Sequence, residues 1–234
     1  LSQGGGGGWT LDVSHGKRGY LMRILHTSDL HGNHERLYAA LRGDFRIWVD
    51  SGDMFPNKTR GDRDIEPGFQ RRWLRGHRDR IKELLGDRPL VCVGGNHDYI
   101  SLDELKEVGV RVFDLTLGPA RLNGLRFSGF RQIPYLRGEW NGEVRPSDFR
   151  EIVNKAFDQN PDVLVTHAPP SGILDAAHDG RPGGITALTS KLRYSPGNVI
   201  AHLLGHHHNE GGYQTTRMSI LFSNAATRPN FVEV

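Results

Sequence analysis

What constrains this chain most is one transition that occurs five times: a short apolar run breaks off into a block of side chains able to hold a proton or a metal. RILHT (23–27) runs into SDLHG, FRIWVD (45–50) into SGDMF, PLVCV (89–93) into GGNHD, DVLVT (162–166) into THAPP, and NVIAHLL (198–204) into GHHHN. Longer amphipathic segments separate the runs, which predicts strands joined by helical crossovers, with helices over 33–43, 67–86, 101–109 and 147–159. Phe69, Trp73, Leu74, Ile81, Leu84 and Leu85 give the second helix an apolar stripe, and Ser101 with Glu104 reads as a capping box for the third. ARLNGLRFSGF, turning at Asn123 and Gly124, and YQTTRMSILFS, turning near Arg217 to Ser219, read as antiparallel hairpins, so the expected architecture is a mixed sheet with helices. In open α/β sheets ligands gather at the carboxyl ends of the strands, so five polar blocks far apart in sequence are expected to meet in one place.

At 234 residues the chain is sized for one domain, and none of its apolar stretches approaches the roughly 20 residues a membrane span needs. The lone Cys92 excludes an internal disulfide and reads as a small buried strand residue, which points to a reducing, cytoplasmic compartment. Residues 1–21, LSQGGGGGWTLDVSHGKRGYL, lack a signal-peptide pattern and read as a flexible Gly-rich leader, with the folded domain expected over 22–234. The net charge of only +3 draws anionic partners weakly. An arginine-rich stretch from Arg60 to Arg80 has the colour of a nucleic-acid footprint, but its interleaved acids favour the solvent face of an amphipathic helix. The long loops 51–66, 131–145 and 167–185 exceed what a connection needs, as functional loops do.

The donors in the five blocks are Asp29, His31, Asp53, Asn96, His167, His206 and His208. Carboxylate, amide oxygen and imidazole together suit Mn, Fe, Zn or Co, whereas an oxygen-only set would favour Mg or Ca. Seven donors exceed the needs of one ion, and two ions roughly 3.5–4 Å apart become the expectation if a carboxylate bridges them. Two such ions outweigh two aspartates in charge, and the excess attracts a phosphate.

D-x-H, GD, GNH, a strand-borne H and G-H-x-H, in that order from residue 23 to about 224, resemble the calcineurin-like metallophosphoesterase superfamily. The resemblance implies an α/β (α+β) fold, a four-layer α/β/β/α sandwich with mixed sheets flanked by helices. It implies Asp29, His31 and His208 on one metal, Asn96, His167 and His206 on the other, and Asp53 bridging. It also implies attack on phosphorus by a metal-bridging hydroxide, with His97 protonating the departing oxygen. Asp98 is expected to orient His97 or to support the ligands from behind. Two divalent transition-metal ions, Mn foremost, are the expected cofactors. The expected partner is a small phosphate ester, with a diester preferred over a monoester; nucleic acid is not favoured and no membrane is expected. A nuclease is the alternative within enzymes, and a non-catalytic scaffold the alternative outside them.

Single histidines and aspartates at loop starts are usually solvated or capping groups, so only the joint arrangement carries the reading. The register within GHHH rests on Gly205 directly before His206, which leaves His207 between two ligands. Asp50 competes with Asp53 but does not follow the glycine. His26 is expected to pack or bond locally in its strand, and His15, His77 and His202 to be surface or packing residues; His34 and His178 border the loops and are left unassigned.

Overall fold

The computed structural model describes residues 22–234; the expectation of a leader over 1–21 lies outside the described residues. One sheet contains β1 (Arg23–Thr27), β2 (Ile47–Asp50), β3 (Leu90–Cys92), β4 (Val112–Asp114) and, at its other edge, β13 (Asn230–Glu233), in the order β13-β1-β2-β3-β4. Its four leading strands run parallel, and only β13 is antiparallel. The second sheet has the order β11-β12-β10-β9-β6-β5, from β5 (Ala120–Leu122), β6 (Leu125–Phe130), β9 (Val163–Thr166), β10 (Ala201–Leu204), β11 (Gln214–Arg217) and β12 (Ile220–Asn224). Here too the inner strands are parallel and the outermost two antiparallel. A short parallel pair, β7 (Ile133–Pro134) with β8 (Glu143–Val144), lies in the loop 131–145.

The strands read as continuous apolar runs because both faces are covered. Alternate residues Ile24, Ile47, Val49, Val91, Val93, Val163, Val165, Ala201 and Leu203 meet between the sheets. The other face of the first sheet packs under α1 (His34–Leu41), α2 (Glu66–Leu85) and the segment 102–108. The other face of the second packs under α3 (Phe149–Phe157) and α4 (Thr186–Tyr194). Burying each such Val, Leu or Ile contributes about 1.5–3 kcal/mol. The result is four layers, α/β/β/α. The five strand tips therefore come from two sheets rather than one: β1–β3 from the first, β9 and β10 from the second.

Two local expectations need correction, and three elements were not expected. Residues 102–108 form a 3-10 helix, not an α-helix. Ser101 caps it through Asp103 N, but Glu104 turns away to Arg71, so no reciprocal capping box forms. The helix α4 and the strands β4 and β13 were not expected. Both hairpins are present, the second turning through left-handed Met218 and Ser219.

Candidate metal centre

All five polar blocks lie at the carboxyl ends of parallel strands, where the edges of the two sheets face each other. Space there is minimal. A Cβ on Gly95 would overlap the Asp53 carboxylate, and one on Gly205 would overlap Ser28 and Asp29. Gly95 has an ordinary negative φ, so the glycine serves close approach rather than an unusual turn. Asp29, His31, Asp53 and His206 all adopt left-handed backbone, with φ of 52°, 46°, 56° and 69°. Non-glycine residues held in that region concentrate at sites where side-chain direction matters more than local comfort.

The side chains converge in three overlapping clusters: Asp29 with His31 and His208, His31 with Asp53 and His97, and Asp29 with Asp53 and His167. Within each, the donor atoms lie within 4.8 Å of one another. Asp29 Oδ1 is 3.1 Å from His208 Nε2 and 4.0 Å from His31 Nε2, while its Oδ2 accepts from Ser28 Oγ and His206 N. Asp53 Oδ2 is 3.4 Å from His167 Nε2, and its Oδ1 accepts from His97 N at 2.7 Å. Asn96 Oδ1 sits 3.0 Å from His167 Nε2, whose Nδ1 donates to Ser51 O at 2.8 Å. The rings of His167 and His206 stand edge to face at 5.0 Å. His207 turns out of this group, its Nε2 toward Gly183.

Electrostatics matches a cation site. Burial alone would raise Asp29, but the His208 hydrogen bond and the His167 charge bring it down to about 2. Burial opposes Asp53 likewise and is outweighed by His167, His97 and His31, which hold it well below the carboxylate range. His167 is the counterpart: burial would lower it, yet Asp53 raises it to about 9. Burial and the neighbouring His167 push His206 down to about 3, leaving its ring neutral. Two buried carboxylates kept ionised, an amide oxygen and four imidazoles fit two divalent ions of the transition series, with Asp29 and Asp53 each lying in two of the three clusters. Asp29, His31 and His208 could hold one ion, and Asn96, His167 and His206 the other.

Of the two roles foreseen for Asp98, the geometry offers support rather than orientation. Its carboxylate accepts from Asp53 N, Gly95 N and Phe55 N at 2.7, 2.8 and 3.2 Å, and so ties two motif loops together. Burial and the Asp53 charge raise it to about 6. The group at His97 Nδ1 is instead Asn57 Oδ1, at 2.9 Å. Asn57 Nδ2 donates to His97 O, so Oδ1 must face the ring and the proton of neutral His97 resides on Nδ1. Nε2 then faces the site, 4.0 Å from Asp53 Oδ2. Gln70 completes the hold, donating to His97 O and accepting from Tyr99 N. The sequence did carry a signal for Gln70: with Glu66 it continues the buried face of Leu74, Ile81 and Leu85, where a polar residue needs a partner. Asn57, inside a long loop, carried none.

Residues deferred or set aside take bland places. His26 bridges Ser51 and Ser223, His202 bonds Thr166, and Asp50 bonds Thr27 on the helix side of its strand. His77 stacks on His34 and bonds Tyr38. Cys92 is buried.

A family model described as calcineurin-like phosphoesterase matches residues 22–210. The chain belongs to the calcineurin-like phosphoesterase family. That membership implies metal-dependent phosphoester hydrolysis. The fold agrees with solved structures. The crystal structure of TT1561 of Thermus thermophilus superposes with a TM-score of 0.62 at 13% identity, covering 92% of this chain and 99% of that one. Another crystal structure gives a TM-score of 0.64 at 14% identity, over 92% and 95% of the two chains. A sequence search of curated proteins finds no match.

Proposed function

We propose that this calcineurin-like phosphoesterase is a binuclear enzyme that hydrolyses a small phosphate ester, a diester in preference to a monoester. The observation that supports it best is the position of Asp53, buried between His167 on one side and His31 and His97 on the other. Two divalent ions, Mn foremost among Mn, Fe, Zn and Co, would supply Lewis-acid stabilisation of the phosphoryl oxygens and a water of lowered pKa. The chain's own residues do the rest. The buried carboxylates and the neutral His206 present ready donors, and the floor beneath them excludes water. His97 serves as the proton donor: Asn57 keeps Nδ1–H engaged, so in the imidazolium the Nε2–H is the one offered to a leaving oxygen. Burial lowers His97, with Asp53 opposing, which eases release of that proton. Asp98 holds the backbone that presents Asp53 and Asn96.

A small ester is preferred over a polynucleotide because three of the five arginines of α2 are engaged, Arg71 with Glu104, Arg78 with Glu107 and Arg80 with Glu83, which leaves only Arg72 and Arg75 exposed there without an acidic partner among the described residues. None of the described helices is long and apolar enough to cross a membrane, and the single buried Cys92 favours a cytoplasmic setting. A non-catalytic scaffold would tolerate missing donors, and here each motif position is filled. The test is a panel of monoesters, diesters, cyclic nucleotides and polynucleotides on metal-stripped protein reloaded with Mn, Fe, Zn, Co or Mg. Small diesters turned over with a transition metal support the reading; turnover of polynucleotides alone, or of nothing, contradicts it.

A further inference from the structure

The loop 135–143 is built, not draped, and it delivers one large side chain to the proposed proton donor. Glu143 lies at its base and accepts four backbone N–H groups: Leu136, Arg137 and Gly138 on Oε2 at 2.8, 2.9 and 2.7 Å, and Trp140 on Oε1 at 2.8 Å. The loop is also tied to the metal-binding turn, with Asn141 N donating to Asn96 O and Asn141 Nδ2 to Asp98 O. On the far side Gly61 packs against Glu139 O, Tyr99 Oη and the Trp140 ring, with left-handed φ of 91° and no room for a side chain. Trp140 is thereby set against His97, ring centroids 4.2 Å apart and planes inclined at 41°.

Both nitrogens of His97 are assigned, Nδ1 to Asn57 and Nε2 to the interior of the site, and the indole covers the ring beside them. A substituent leaving the site past His97 therefore meets Trp140, whose ring lies 4.2 Å from that imidazole. We infer that Trp140 is a stacking wall for the leaving group and selects phosphate esters of alcohols bearing a planar aromatic ring, with Glu143 as the residue that positions it. The inference rests on the phosphoesterase reading for the identity of the leaving group, but the wall is a property of the chain alone. An indole offers a π-face to a planar ring that it cannot offer equally to a saturated one of the same size.

The discriminating pair is naphthylmethanol and its saturated counterpart decahydronaphthylmethanol, free and as phosphate esters, since their alcohols are alike in size and acidity. Binding of the free alcohols to metal-free protein is read from the Trp140 indole N–H resonance, and kcat/KM from the metal-loaded enzyme. The expectation is that the planar alcohol binds about tenfold more tightly than the saturated one, and that Trp140→Ala removes this preference. On the esters, Trp140→Ala should cost about tenfold more for the planar than for the saturated substrate, chiefly in KM, with Trp140→Phe retaining most of the preference. Glu143→Gln should lower the planar-to-saturated ratio without abolishing metal binding, a change that general loosening would not produce. Equal losses on the two esters, or equal binding of the two alcohols, would overturn the wall. If neither ester is turned over while Trp140-dependent binding of the planar alcohol persists, the phosphoesterase reading fails and the wall stands.

Discussion

The floor and the rim of the centre are built from the same residue types but held in opposite ways. Asp29, Asp53 and His167 have side chains between 0 and 2% exposed, while His208, His31 and His97 are 48, 31 and 26% exposed. The floor is fixed by backbone: the Asp98 carboxylate on Asp53 N, and glycines where the two sheets leave no room. The rim is fixed by side chains and loops, Asn57 and Trp140 for His97, Asp29 for His208. Buried charge must be matched where it stands, whereas an exposed imidazole has water as an alternative partner. Damage to the floor should therefore destroy the centre, and damage at His97, the rim residue that is not among the proposed ligands, should only change how it works.

The largest effect follows from the floor. Asp53→Asn replaces the carboxylate proposed to bridge the ions with a neutral amide, so both ions should be lost and turnover should fall by roughly a thousandfold or more, as Lewis-acid stabilisation is worth several kcal/mol. Elemental analysis alongside turnover reads this directly; full occupancy with undiminished activity would erase the distinction between floor and rim. At the rim, His97→Ala should keep both ions yet lose about 100-fold or more on esters with poor leaving groups, and less on good ones. A uniform loss across leaving groups would deny His97 its proton. Asp98→Asn probes the layer beneath, where outer partners of ligands are typically worth about 10–100-fold in metal affinity. Retained affinity would show that the three N–H groups on Asp98 do not set the position of Asp53.

A gentler contrast concerns acid stability. His26 and His202 are buried away from the donors and lowered to about 3, His26 by burial and the nearby His202, His202 by burial itself. A histidine whose folded pKa lies below its unfolded value binds more protons when unfolded, so stability is complete above about pH 6.5 and declines as pH falls from there toward 3. The loss should reach roughly 5 kcal/mol for each histidine. Thermal melts of the metal-free protein across that range check it, and a flat profile would mean that these histidines are not held neutral.

Much of this is legible in the sequence. The strands carrying motif blocks are long apolar runs whose ends are marked by glycine and donor residues, and they were placed to within three residues. What escaped notice was unmarked or supported from elsewhere. The strands β4 and β13 are no shorter than β3 and β10, but no block of glycine and donor residues follows them to mark their ends. The helix α4 buries only Leu188 and Leu192 and begins without a side-chain cap. That two sheets share the strand tips is set by which strand pairs with which, a long-range property to which local pattern is blind. The donors themselves could be named because chemistry requires their types at strand ends. Asn57, Trp140 and Glu143 could not, since each acts through a loop whose path depends on its own hydrogen bonds.

The central claim is the pairing of cations across Asp53. Anomalous diffraction from crystals of the Mn-loaded chain, with metal content measured on the same preparation, addresses it most directly. The account predicts two ions per chain, one among Asp29, His31 and His208 and one among Asn96, His167 and His206, with the Asp53 carboxylate between them. A single ion, or ions bound away from Asp53, would contradict it.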